Sequence, residues 1–88
     1  MVHHCSHAGA EGRHYCVRGF VAESVLNWAS PEAALPICRA LPEEDKAPCY
    51  EEMARQGNSM IGRAAMAEVC AQAEEHHVST CRRAAGLR

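Results

Sequence analysis

Residues 38–49 read Cys38-Arg39-Ala40-Leu41-Pro42-Glu43-Glu44-Asp45-Lys46-Ala47-Pro48-Cys49. Leu41-Pro42 is a stop signal, because proline has no N–H with which to continue a helix. The three acids that follow are what a new helix favours at the positive end of its dipole. The chain therefore reverses inside this stretch, and the reversal brings its two bounding cysteines together.

The same frame occurs twice more. Cys5 and Cys16 precede it, Cys70 and Cys81 follow it, and in each pair ten residues lie between the cysteines. The first cysteines recur at offsets of 33 and 32 residues. Self-similarity at such a period marks a stacked supersecondary unit. The expected organisation is one domain over residues 1–88, with about three cysteine-paired repeats: a partial one at 1–29, then 30–58 and 59–88.

The flanking sequence reads as helix throughout. Ser30-Pro31-Glu32 is a helix start, predicting a helix over 31–40 that Pro36 distorts. A second helix, with Pro48 early in it, is expected from the Glu43 region to about Gln56. Gly57 is read as its stop and Asn58-Ser59 as the next cap, with a helix from about Met60 to Ala73. Glu74-Glu75-His76-His77 marks the next turn or helix start, and a last helix carries Cys81 before Gly86. In the first repeat, Ala8 to Gly12 reads as a turn and His14 to Trp28 as a long helix burying Val17, Phe20, Val21, Val25 and Trp28. Superposed repeats align Ile37 with Val69, Phe20 with Met53, and Trp28 with Ile61. No stretch alternates like a strand. The expected class is all-α, with antiparallel helical hairpins stacked as a short disulfide-stapled solenoid.

Six cysteines allow fifteen connectivities. Residues eleven apart in an unbroken helix lie roughly 16 Å apart along the axis, beyond the ~7 Å Cα limit of a bridge. They would then pair only with another helix, as in twin-cysteine coiled-coil-helix proteins. The turn signals favour local bridges instead: Cys5–Cys16, Cys38–Cys49 and Cys70–Cys81. Each closes a loop of about a dozen residues and contributes roughly 2–3 kcal/mol on the chain-entropy model. That matters in a chain of 88 residues with one Trp, one Phe and two Tyr to fill its core.

A helical hairpin of this length, with one cysteine ending its first helix and another in its second, resembles the bacterial cysteine-rich, tetratricopeptide-like repeat proteins. The six cysteines carry the resemblance. It implies one disulfide per repeat, a secreted or periplasmic location, and a solenoid that binds other proteins.

An even cysteine count in a small domain points to an oxidising compartment. Met1-Val2-His3-His4 runs directly into Cys5 without an apolar stretch, so the sequence as it stands is expected to be a mature or trimmed form whose first repeat lacks its first helix. The formal charge of −2 gives no support for nucleic-acid binding, and no stretch is long and apolar enough to insert in a membrane. The apolar row of Phe20, Val21 and Trp28 is the expected interaction face, for a protein partner or a homo-oligomer.

The competing reading is a small copper- or zinc-binding protein. His3, His4 and His7, with Cys5 and nearby His14, are the candidate ligands, because imidazole and thiolate are the usual donors. A solvated His-rich end is the plainer account of them. His76-His77 is a weaker candidate, since neighbours on a helix do not face one ligand. Catalysis by cysteine would need a free thiol beside a base such as His14, and pairing removes the thiols. No Cys-x-x-Cys motif, phosphate-binding glycine loop or serine elbow is present, so the expectation is a protein without enzymatic activity or cofactor. A hydrophobe-binding bundle is a third possibility, requiring a sizeable cavity.

Overall fold

Val17, Val21 and Val25 follow one another at four-residue steps along α1 (Ala10–Trp28) and are all buried. In the computed structural model, which describes residues 10–87, this stripe lies against the long helix α3 (Glu43–Cys70). Two short helices complete the fold, α2 (Leu35–Ala40) and α4 (Val78–Ala84), each preceded by a 3-10 turn, Pro31–Ala34 and Glu75–His77 respectively. There is no strand among the described residues. Helix α3 is the centre of the molecule, touching every other helix and supplying Tyr50, Met53 and Met66, the largest fully buried side chains. Burying each is worth roughly 1.5–3 kcal/mol.

Helix α1 starts earlier than its sequence predicts, because Ala10 to Gly12 are helical rather than a turn. One glycine costs a helix only about 1 kcal/mol, which tertiary packing overrides. Its end is a Schellman motif: Ser30 N–H donates to Val25 O at 3.2 Å and Ala29 N–H to Leu26 O at 3.3 Å. Ala29 occupies the left-handed position, with φ 52°.

The helix expected over 31–40 divides in two. Pro36 lacks the N–H that Glu32 O would accept, and its ring would crowd that carbonyl in a continuous helix. The chain takes a 3-10 turn first, and α2 starts afresh with Pro36 in its opening turn. Ser30 stands at the N-cap position of the turn, but its side chain makes no capping hydrogen bond.

Helix α3 runs past Gly57, the expected stop, and breaks at Gly62 (φ 83°, ψ 166°). The reason is packing. Gly57 is buried where a Cβ would meet Pro31 and Met66, so glycine there serves a close approach rather than a turn. Pro48 is accommodated without a break. It cannot donate to Glu44 O, and His14 Nε2 lies 3.3 Å from that carbonyl, positioned to donate in its place.

Both described bridges form as predicted. Cys38–Cys49 joins α2 to α3, and Cys70–Cys81 joins the end of α3 to α4; both have Cα–Cα distances of 5.5 Å. The turns they clamp share one backbone shape, since Pro42 (φ −58°, ψ 152°) and Glu74 (φ −56°, ψ 140°) take the same extended conformation before the next helical turn. Cys16 is also disulfide-bonded, but Cys5, its expected partner, lies outside the described residues.

Candidate functional site

The polar side chains of greatest structural consequence gather where these two turns meet. Lys46, on the first turn of α3, is buried, and its ammonium has three acceptors: Arg39 O at 2.7 Å, Glu74 Oε1 at 2.8 Å and Cys38 O at 3.5 Å. Two of these are carbonyls at the end of α2, where the helix runs out of donors; Cys38 O also accepts the Leu41 N–H at 3.4 Å. A cation there also suits the negative end of the helix dipole. Tyr50 donates its hydroxyl to the same carboxylate oxygen of Glu74 at 3.0 Å. Arg39 reaches the other way and donates to Gln72 O, beyond the end of α3, at 2.7 Å. Arg39 of one turn thus caps backbone of the other, and Lys46 and Tyr50 join the two through the Glu74 carboxylate.

The electrostatics follow from this arrangement. The Lys46 ammonium is the main cause holding the Glu74 carboxyl below its ordinary value, with Tyr50 assisting. Burial, reinforced by the hydrogen bond to Glu74, pushes the Tyr50 hydroxyl up to about 12.

At the edge of this network, Glu43 meets two imidazoles. Its Oε2 lies 2.6 Å from His77 Nε2 and 3.0 Å from His76 Nε2. The His77 contact is the chief cause lowering the Glu43 carboxyl from its usual range. His77 is buried, with its ring stacked on Tyr50 at 5.3 Å between centroids, whereas Glu43 and His76 face solvent. Sequence reasoning set these histidines aside on helical spacing. They lie in a 3-10 turn, and His77 adopts φ −109°, ψ −4°, with the two ring centroids 4.3 Å apart.

The predicted interaction face is divided by the structure. Val21 is fully buried in the valine stripe, Phe20 is half-buried, and Trp28 is 75 % exposed. The four-residue step from Val17 to Val25 fixes the inward side of α1, and Trp28 falls off it at the last turn. Helices α1 and α3 run parallel, as shown by His14 beside Asp45 at 3.6 Å and Arg18 beside Glu51 at 2.5 Å. Leu26 (61 % exposed) also leaves a large apolar side chain in water at the C-terminal end of α1, and Met60 (37 %) and Ile61 (40 %) do so on α3 just before its break. Sequence reasoning aligned Trp28 with Ile61 and read both as inter-repeat packing, whereas both are exposed. An open groove between the parallel helices is lined by Tyr15, Arg18, Gly19, Ala22, Glu52 and Arg55.

His3, His4 and His7 lie outside the described residues. Among the described residues, no helix is long and apolar enough to cross a membrane. Compared with known proteins, the chain matches no family model, no curated protein and no solved structure.

Proposed function

We propose that the chain is a disulfide-stapled helical repeat module for protein–protein interaction, without catalytic activity, working in an oxidising extracellular or periplasmic setting. In this reading the cysteine-paired units of 1–29, 30–58 and 59–88 stack as a short solenoid, similar in build to the cysteine-rich tetratricopeptide-like proteins. Two bridges at turns of one shape support the repeat, and their oxidation supports the compartment.

The observation that carries the interaction is Trp28, a large side chain left three-quarters exposed at the C-terminal end of α1, where Leu26 is also exposed. Tryptophan is among the residues that dominate binding energy once buried in an interface, and apolar burial contributes roughly 25 cal/mol per Å². The first partner to test is a second copy of the chain. Light scattering across a concentration series should show wild type associating as its tryptophan emission shifts to the blue. Trp28→Glu should remain monomeric with an unchanged melting temperature. A wild-type chain that stays monomeric, with solvent-like tryptophan emission at the highest concentration, contradicts self-association through this end.

A further inference from the structure

The strongest unassigned feature is the cluster of Glu43, His76 and His77, whose ligand atoms all lie within 4.8 Å of one another. We propose that these three residues bind a divalent transition-metal ion, with zinc the best fit. Two imidazole nitrogens and one carboxylate oxygen suit an ion of borderline softness and disfavour calcium or magnesium, which take mainly oxygen.

The geometry is close to what coordination needs. With metal–ligand bonds of about 2.0–2.1 Å, the corners of a tetrahedral zinc site stand about 3.3 Å apart. Here the carboxylate oxygen lies 3.0 and 2.6 Å from the two nitrogens. Widening these two oxygen–nitrogen distances to about 3.3 Å requires the Glu43 carboxylate, whose side chain is exposed, to retreat by less than about 1 Å, and the two imidazole nitrogens lie within 4.8 Å of each other. His77 is the fixed ligand, held by burial and by the Tyr50 ring. Glu43 and His76 are the movable ones.

A charge pair alone accounts for less of the arrangement. A carboxylate oxygen can accept from two donors, as Glu74 Oε1 does from Lys46 and Tyr50, but an exposed pair such as Glu43 with His76 contributes little to stability. With three protein ligands on an exposed edge, the fourth position faces solvent, to be filled by water or by a donor from another molecule. A bound ion would tie the start of α3 to the turn before α4, so metal and fold would be linked.

Zinc titration by calorimetry tests this on the oxidised full chain. His3, His4 and His7 are replaced together by alanine, so that the N-terminal imidazoles cannot compete. One saturable equivalent per chain is expected, with a melting temperature that rises with zinc concentration. Affinity should fall at least about tenfold in His76→Ala and again in Glu43→Gln, since loss of even an outer partner costs that much. Both residues are exposed, so the variants should keep the wild-type helical signal. Cobalt should give visible ligand-field bands in the parent and lose them in both variants. No saturable binding, or a site whose affinity is the same in both variants as in the parent, overturns the proposal.

Discussion

Pro31 and Gly57 pack so closely that a Cβ on Gly57 would stand 2.7 Å from the Cβ of Pro31. This contact seats the first 3-10 turn on α3, and Met66 closes on the same spot from the far side of the helix break. Gly57→Ala should therefore destabilise the fold by about 1–3 kcal/mol, the usual effect of overpacking a filled site. Gly19 is the control, because a Cβ there meets nothing within 4 Å. Gly19→Ala should gain about 0.5–1 kcal/mol by raising helix propensity. Denaturant unfolding of the two variants checks the pair, and a common sign would contradict the packing described here.

Ala29 ends α1 in the left-handed conformation, a place where glycine is the usual residue. Ala29→Gly should stabilise the protein by about 0.5–1 kcal/mol, part of the relief being offset by glycine's greater freedom when unfolded. Thermal unfolding reads the effect. A loss of stability would show that the Schellman turn does not form at Ala29.

The junction of the turns predicts how stability varies with pH. Glu74 binds its proton less readily folded than unfolded, so its contribution is complete above the ordinary carboxyl value of 4.5 and is lost as the pH falls through the lowered one. Tyr50 is the opposite case. Its contribution is complete below 10 and is lost as the pH rises from there towards about 12. The melting temperature should thus be level near neutrality and decline at both extremes, with Glu74→Gln weakening the acid decline and leaving a reduced alkaline one, since burial is the larger cause of the Tyr50 shift.

The helical class and the two described bridges were legible because proline, acidic first turns and cysteine spacing act locally. Pro42 and Glu74 take the same conformation even though only one is proline, so the cysteine frame identified the second turn better than its residues did. Gly57 misled because a glycine required by a neighbour reads the same in sequence as one required by a turn; Gly62, which has the positive φ, stood five residues further on. The junction was hidden for a different reason. Lys46 with Glu74, and Glu43 with His76 and His77, are partners some thirty residues apart, and only the 3-10 turn turns both imidazoles to one oxygen.

The central claim is that an oxidised bridge clamps each turn of the helical frame, and mapping the cysteines under denaturing, non-reducing conditions tests it most directly. The account predicts no reactive thiol, with peptides joined Cys38 to Cys49 and Cys70 to Cys81, and Cys16 linked to Cys5. Free thiols, or bridges crossing between these pairs in the folded protein, would contradict it.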